Sequence, residues 1–307
     1  MIVDMHTHLI HPDTHSQPFW DGWVETAALM ANRPPERVRQ RLSEYYDLTG
    51  DLLIQEMDRV GIDASVIIVN DWGTARYMGE PKMNIEEINK LYAEVGKKYP
   101  NRLIPFAGID PRRPRAARRL ERFIKEFGMK GIKVHGATGF YPNDRICYPI
   151  YELAAELGLP VIFHTGEILK PFYFKYTQPI HLQEVAMDFP EVPMIFAHAG
   201  LSFQNEAAAI CYNATNVYLD VSLWQPKLLR PLEFYRELRG LLNRVPSQRM
   251  LFGSDFPAIK GLVSQEKWVK AFTEIPESVK AAGIEFPKEV IEALLGGNAA
   301  KLLKLGQ

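Results

Sequence analysis

Residues 1–10, MIVDMHTHLI, place an aspartate and two histidines inside an apolar segment of the kind that forms a buried strand. Side chains at i, i+2 and i+4 of a strand lie on one face, which predicts that Asp4, His6 and His8 point the same way. Three polar groups on one buried face are costly without partners. The stretch therefore leaves two alternatives open, hydrogen-bonded core histidines or half of a metal site.

Seven further segments resemble this one, since each is short, rich in Val, Ile or Phe, and ends in small or polar residues. They predict strands at ASVIIVN (64–70), LIPFAGID (103–110), KGIKVHG (130–136), PVIFHTG (160–166), VPMIFAHAG (192–200), VYLDVS (217–222) and RMLFGSD (249–255). Amphipathic segments that predict helices alternate with them, at about 51–60, 84–99, 114–127, 148–157, 179–189, 203–213, 229–243 and 262–273. An extra C-terminal helix is predicted over about 287–304.

Eight nearly continuous apolar strands alternating with helices predict an α/β fold, a (β/α)8 TIM barrel that spans residues 1–307 as one domain. A doubly wound sheet is the alternative, but it usually has a glycine-rich loop after its first strand, and THLIHPDTHS (7–16) is unlike one. Residues 9–50 do not fit the repeat. We expect this insertion to be a lid over the mouth of the barrel, with a decorative subdomain as the alternative.

The composition excludes several classes of partner. Lys and Arg total 36 against 37 Asp and Glu, so the net charge of -1 gives no reason to expect nucleic-acid binding. No apolar run is long enough for a transmembrane helix, and the N-terminus lacks the pattern of a signal peptide. Two cysteines, Cys147 and Cys211, make no disulfide framework, so we expect a reduced cytoplasmic protein.

The ends of the predicted strands carry the chemistry. In a parallel barrel these ends meet at one mouth, so residues far apart in sequence come together there. Strands 1, 5, 6 and 8 bring four imidazoles and a carboxylate to it: His6, His8, His164, His198 and Asp255. Strand 4 adds Lys133 and His135, and we expect His135 either to contact substrate or to cap the following loop. This convergence predicts a metal site.

Six segments, in order along the chain, carry a family resemblance: DMHTH (4–8), GIKVHGATGFYPND (131–144), GLPVIFHTG (158–166), FAHAG (196–200), MLFGSDFP (250–257) and GGNAAKLL (296–303). They resemble the amidohydrolase superfamily of metal-dependent barrel enzymes. The closer resemblance is to its branch that contains aminocarboxymuconate semialdehyde decarboxylase, benzoate-type decarboxylases and a dicarboxylate lactonase. The resemblance spans the barrel and identifies the fold and the metal site, but not the substrate.

The resemblance implies that His6, His8, His164 and Asp255 hold one divalent metal. Zinc suits this nitrogen and oxygen set best, and manganese or cobalt would also satisfy it. Because a metal lowers the pKa of a water molecule toward neutrality, Asp255 is also expected to take a proton from that water.

Three further residues acquire expected roles from the same resemblance. His198 is expected to act on the substrate as an acid or a polarising donor, with binding of a second metal as its alternative. In that binuclear alternative a carbamylated Lys133 bridges two ions; otherwise Lys133 is expected to form a salt bridge with a carboxylate or with the substrate. Asp4 is expected to hydrogen-bond beneath the metal layer and to orient a ligand.

Three functions remain open at this point. The first is hydrolysis of an ester, lactone or amide in a small carboxylated substrate. The second is non-oxidative decarboxylation of an aromatic or conjugated carboxylic acid, which needs a cation away from the metal. Its candidate cations are Arg33, Arg37, Arg39, Arg41, Arg76, Lys170 and Lys175. The third is a non-catalytic metal-binding protein. A homodimer also remains open, with Trp224 as a candidate interface residue.

Overall fold

Within residues 1–306, which the computed structural model describes, eight short parallel strands follow one another in chain order around a barrel. They are β1 (Val3–Thr7), β2 (Ala64–Ile68), β3 (Leu103–Gly108), β4 (Ile132–Val134), β5 (Val161–Phe163), β6 (Met194–Phe196), β7 (Val217–Asp220) and β8 (Met250–Leu251). β8 returns to β1 through hydrogen bonds from Met5 N to Phe252 O at 2.9 Å and from His8 N to Phe256 O at 2.8 Å. The predicted (β/α)8 barrel is confirmed.

Helices connect the strands and form the outer layer. They are α1 (Gln17–Ala31), α2 (Pro35–Arg39), α3 (Asp51–Val60), α4 (Ile85–Lys98), α5 (Ala116–Phe127), α6 (Tyr148–Leu157), α7 (Gln183–Asp188), α8 (Gln204–Asn213), α9 (Pro231–Leu242), α10 (Gln265–Thr273), α11 (Glu277–Ala281), α12 (Lys288–Glu292) and α13 (Asn298–Leu302). A π-helical turn over 293–297 joins α12 to α13 and gives the predicted C-terminal helix. Among residues 1–306, none of the helices combines the length and apolar character that crossing a membrane requires.

Alternating strand residues separate the core into two parts. In β5, Val161 and Phe163 pack with the helices, whereas Ile162 belongs to a second apolar cluster that fills one end of the barrel. Ala299 and Leu302 of α13 pack into that second cluster. Because the strands are parallel, their carboxyl ends and the polar residues there meet at the opposite end of the barrel.

The predicted insertion is present as α1, α2 and the turns around them. Its two ends are tied together, since Asp47 N donates to Ile10 O at 2.9 Å. Phe19 and Trp20 of α1 share an apolar cluster with Trp72, which follows β2. The insertion therefore packs on the mouth of the barrel, and its action as a lid stays a prediction.

Asp4 does not share the face of His6, because the β1–β2 register shifts between Asp4 and Thr7. The Asp4 carboxylate instead accepts hydrogen bonds from His6 N at 3.1 Å, from Ser254 N at 2.9 Å and from the Gln265 side chain of α10 at 3.2 Å. It therefore holds the backbone at the ends of β1 and β8 rather than the imidazole of a ligand. Burial raises the pKa of Asp4 to about 7.

Replacing Asp4 by alanine tests this structural role. We expect Asp4→Ala to lower the free energy of unfolding by about 2–5 kcal/mol, because two buried backbone amides lose their acceptor. Asp4→Asn retains the oxygen that accepts both bonds and should lose much less. Urea unfolding in the presence of a chelator measures both variants. Equal stability of the two would contradict the assigned contacts.

Candidate active site

A cavity of about 340 Å³ lies at the carboxyl ends of the strands. This volume is within the usual range of small-molecule sites. Its polar floor contains all of the site residues predicted from the strand ends: His6, His8, Lys133, His135, His164, His198 and Asp255. The strand topology therefore brings together side chains from β1, β4, β5, β6 and β8.

His6, His8 and Asp255 form one compact group, with ligand atoms within 4.8 Å of one another. The Nε2 atoms of His6 and His8 lie 3.4 Å and 3.1 Å from Oδ1 of Asp255. Asp255 has a left-handed backbone with φ of 54°, and its N–H donates to His6 O at 2.7 Å. The β8–β1 junction therefore aims the Asp255 carboxylate at the two histidines.

The far nitrogens of three histidines are committed to acceptors. Nδ1 of His8 is 2.9 Å from Ile68 O, and Nε2 of His164 is 3.1 Å from Glu167 O. A carbonyl oxygen only accepts, so each of these ring nitrogens must carry the proton. Nδ1 of His6 likewise lies 3.0 Å from the Asp220 carboxylate. In the neutral rings, the nitrogens that face the cavity are therefore unprotonated.

This arrangement fits a divalent cation. Burial lowers the pKa of His6 well below its usual range, so its ring stays neutral, and its unprotonated Nε2 faces a carboxylate oxygen. Lone pairs and a negative charge that converge in this way repel one another unless a positive charge lies between them. Two imidazoles and a carboxylate, each oriented by a hydrogen bond on its far side, form a donor set that zinc and similar metals accept.

His164 belongs to neither of the two compact groups of candidate ligands, but it adjoins them. Its Nδ1 lies 3.2 Å from Nε2 of His198. The far nitrogen of the His198 ring, Nδ1, lies 2.8 Å from Ser222 Oγ. The Ser222 hydroxyl donates its own proton to Asp220. His198 therefore carries its proton on Nδ1. Its Nε2 and Nδ1 of His164 are two more unprotonated nitrogens, and they face each other. Burial lowers the pKa of His164 to about 3.

The segment after β6 holds His198 in a strained conformation. His198, Ala199 and Leu201 have φ values of 63°, 48° and 46°, which non-glycine residues rarely adopt. Asp220 Oδ1 accepts from His198 N at 3.0 Å, and the Trp224 indole donates to His198 O at 2.9 Å. Trp224 is fully buried, so its interpretation as an interface residue is wrong.

Asp220 is a central residue that the sequence analysis missed. Its carboxylate contacts the ring of His6, the backbone of His198 and Ser222. With His6 and His198 it forms the second group whose atoms lie within 4.8 Å of one another. The signal was available, because Asp220 ends the strand segment VYLD (217–220) just as the other site residues end theirs.

Lys133 is buried in the cavity floor. Burial lowers its pKa to about 8, while the carboxylates of Asp220 and Asp255 favour the ammonium form. Within residues 1–306, no arginine lines the cavity, and Lys133 is the one lysine that does. The cations suggested for a decarboxylase thus lie elsewhere: for example, Arg39 is 2.8 Å from Asp21 and Lys170 is 3.3 Å from Glu25.

His135 lies in the cavity floor and makes no side-chain cap for the following turn, so the capping alternative is wrong. Its ring stacks on His164 with a centroid distance of 4.4 Å and an interplanar angle of 14°. The Trp72 ring packs edge-on against it at 4.5 Å. Nδ1 of His135 is buried and has no hydrogen-bond partner.

His15 of the insertion also lines the cavity, although its sequence context looked like a simple loop. Its Nδ1 lies 2.9 Å from Thr14 Oγ1, and its ring lies 4.3 Å from the Phe19 ring. Burial lowers the pKa of His15 to about 3, so it is neutral at physiological pH. The insertion therefore contributes a neutral polar group to the cavity wall.

Residues 3–305 match the family model described as amidohydrolase. The 2-keto-4-carboxy-3-hexenedioate hydratase of Sphingobium sp. (strain NBRC 103272 / SYK-6) is 26% identical over 234 residues, which are 65% of this chain and 65% of the hydratase. The gamma-resorcylate decarboxylase of Polaromonas sp. (strain JS666 / ATCC BAA-500) is 26% identical over 151 residues, 46% of this chain and 45% of that protein.

A solved structure has the same fold. The probable 2-pyrone-4,6-dicarboxylic acid hydrolase ABAYE1769 from Acinetobacter baumannii, crystallised with citric acid, superposes with a TM-score of 0.65. The alignment covers 99% of both chains at 15% sequence identity. At this identity the similarity supports the barrel and not the reaction.

The neutral state of His15 predicts a dependence of stability on pH. The pKa of His15 is about 3 in the folded protein and 6.5 for an ordinary histidine, so the unfolded chain binds the extra proton between these values. The folded protein therefore keeps the full stability associated with neutral His15 above pH 6.5, and it loses this stability as the pH falls toward 3.

We expect the free energy of unfolding of His15→Gln to fall less steeply in acid than that of the wild-type protein. The difference in slope is up to about 1.4 kcal/mol per pH unit. Thermal unfolding of the wild-type and variant proteins between pH 7.5 and 5, both with a chelator present, measures the difference. Parallel curves for the two proteins would mean that His15 is not held neutral.

Proposed function

The chain belongs to the amidohydrolase family, and we propose that it is a metal-dependent hydrolase that cleaves an ester, lactone or amide bond in a small carboxylated molecule. One observation carries the proposal. The far nitrogens of His6, His8 and His164 bind Asp220 or a backbone carbonyl, which leaves unprotonated nitrogens facing the same cavity as Asp255. This is the arrangement that a Lewis-acid site needs.

We propose that His6, His8, His164 and Asp255 hold one divalent ion. Zinc is the preferred identity, with manganese or cobalt as alternatives, because the donor set is all nitrogen and oxygen. When bound, such an ion polarises the substrate carbonyl and lowers the pKa of a water molecule toward neutrality. A binuclear centre bridged by a carbamylated Lys133 is the less favoured alternative.

The proton transfers are assigned to Asp255 and His198. In its neutral form His198 carries its proton on Nδ1, so Nε2 accepts a proton. The proton of the attacking water passes to Nε2 of His198 or to the Asp255 carboxylate, and it is returned to the leaving oxygen or nitrogen. Asp220 and Ser222 keep His198 in place; burial lowers the pKa of His198 well below its usual range, and the Asp220 carboxylate opposes part of that shift.

Lys133 is proposed to pair with the carboxylate of the substrate. It is the one lysine or arginine of the described residues that lines the cavity, and burial strengthens its interaction with an anion. Its partly neutralised amine, with a pKa of about 8, carries enough charge at pH 7 for this role. A carboxylate bound there lies beside the proposed metal ligands.

Decarboxylation is the second candidate function. The similarity to gamma-resorcylate decarboxylase supports it, and the rings of Trp72 and His135, which line the cavity, offer aromatic contacts for a planar acid. We place it second because no arginine within residues 1–306 lines the cavity to hold an anion away from the proposed metal. The family match leaves a non-catalytic metal-binding protein without support.

A substrate panel separates the two reactions. The metal-loaded protein is incubated with aryl esters, lactones and carboxylated phenols, while acid production and CO2 release are followed together. We expect acid production without CO2 for at least one ester or lactone. Release of CO2 without net hydrolysis would overturn the hydrolase proposal in favour of decarboxylation.

Replacing His198 tests its role as a proton carrier. We expect His198→Asn to keep the bound metal and to lower kcat by about 10²–10⁴-fold, as is usual for loss of a general acid or base. His181→Asn, which alters a histidine outside the cavity, is the matched control. Metal content and steady-state rates of both variants decide the result. Loss of the metal from His198→Asn would instead identify His198 as a ligand.

A further inference from the structure

Above its polar floor, the cavity has an apolar wall that four segments contribute. Phe19, Trp23 and Met30 come from α1, and Leu169, Leu201 and Ile259 follow β5, β6 and β8. Phe19 and Trp23 are buried in the structure, whereas Met30 is 42% exposed. The wall therefore continues as apolar surface from the floor to the solvent.

The charges of the cavity are confined to its floor, apart from one acid. Lys133 lies beside Asp255 and Asp220, and no other lysine or arginine of the described residues lines the space. The wall carries Glu167, whose carboxylate accepts from Ser202 N at 3.2 Å, and the neutral His15. A second carboxylate against this wall would lose its hydration without meeting a cation, which is costly.

Building on the proposed function, we propose that the substrate carries one carboxylate next to the reacting bond and an extended apolar body without a second anionic group. Lys133 binds the carboxylate, and the body lies along Phe19, Trp23 and Leu169 toward Met30. The matched substrate class is an alkyl or aryl monocarboxylic acid derivative. The cavity disfavours dicarboxylates whose second acid lies away from the reacting centre.

Binding of simple acids tests this class without requiring turnover. Octanoate and octanedioate have the same chain length and differ in the second carboxylate, and butanoate tests the contribution of the chain. The metal-loaded protein is titrated with each acid, and tryptophan emission reports binding because Trp23 and Trp72 line the cavity.

We expect octanoate to bind at least tenfold more tightly than octanedioate. Octanoate should also bind more tightly than butanoate, by up to about fourfold for each added methylene. Octanedioate binding as tightly as octanoate would overturn the proposal. So would the failure of octanoate to bind.

A charge placed in the wall tests where the body lies. Thr26 of α1 lines the cavity and is half-buried, so a long side chain fits there without filling the core. We expect Thr26→Arg to bind octanedioate at least tenfold more tightly than Thr26→Met, the neutral control of similar length. No gain for Thr26→Arg would mean that the chain does not run along this wall.

The two proposals fail separately. If the panel of esters and lactones is not hydrolysed but octanoate retains its preference, the hydrolase proposal fails and the substrate class stands. If esters are hydrolysed but those with a carboxylate at the far end of the chain react at least as fast as their apolar counterparts, the substrate class fails and hydrolysis stands.

Discussion

The hydrogen bonds on the far sides of three histidine rings are the constraint on which the rest of the site depends. Ile68 O and Glu167 O fix the protons of His8 and His164, and the Asp220 carboxylate does the same for His6. Ile68 and Asp220 belong to strands of the barrel and Glu167 to the loop after β5, so the fold itself decides which nitrogens enter the cavity unprotonated. The proposed metal binding and the proton balance of the site follow from that choice.

The barrel also maintains conformations that an isolated peptide would avoid. His198 and Asp255 have positive φ values, and each such residue costs on the order of 1–3 kcal/mol. Asp220 and Trp224 hold the backbone of His198, while Asp4 holds the strand ends beside Asp255. The strain is located where the proposed ligand and the proposed proton carrier must be aimed precisely, and the packed strands compensate for it.

Sequence patterns predicted the barrel and the floor of the cavity because strand alternation and the convergence of strand ends are regular. They did not predict the face of Asp4, because a shift in β-register leaves no mark on an alternating pattern. His15 could not be placed, since a loop has no periodicity that shows where it folds. Asp220 was missed although the strand-end rule applied to it, and Trp224 was misassigned because burial of a lone aromatic residue cannot be seen in sequence.

The occupancy of the proposed metal site is the most direct test of the single-metal proposal. Elemental analysis of the protein, purified without chelators and again after incubation with zinc, gives the identity of the metal and the number of ions per chain. We expect one divalent ion per chain, zinc in the simplest case, which a chelator removes and added metal restores. No stoichiometric metal even after incubation would contradict this proposal. Two ions per chain would replace the single site with a binuclear centre that includes Lys133.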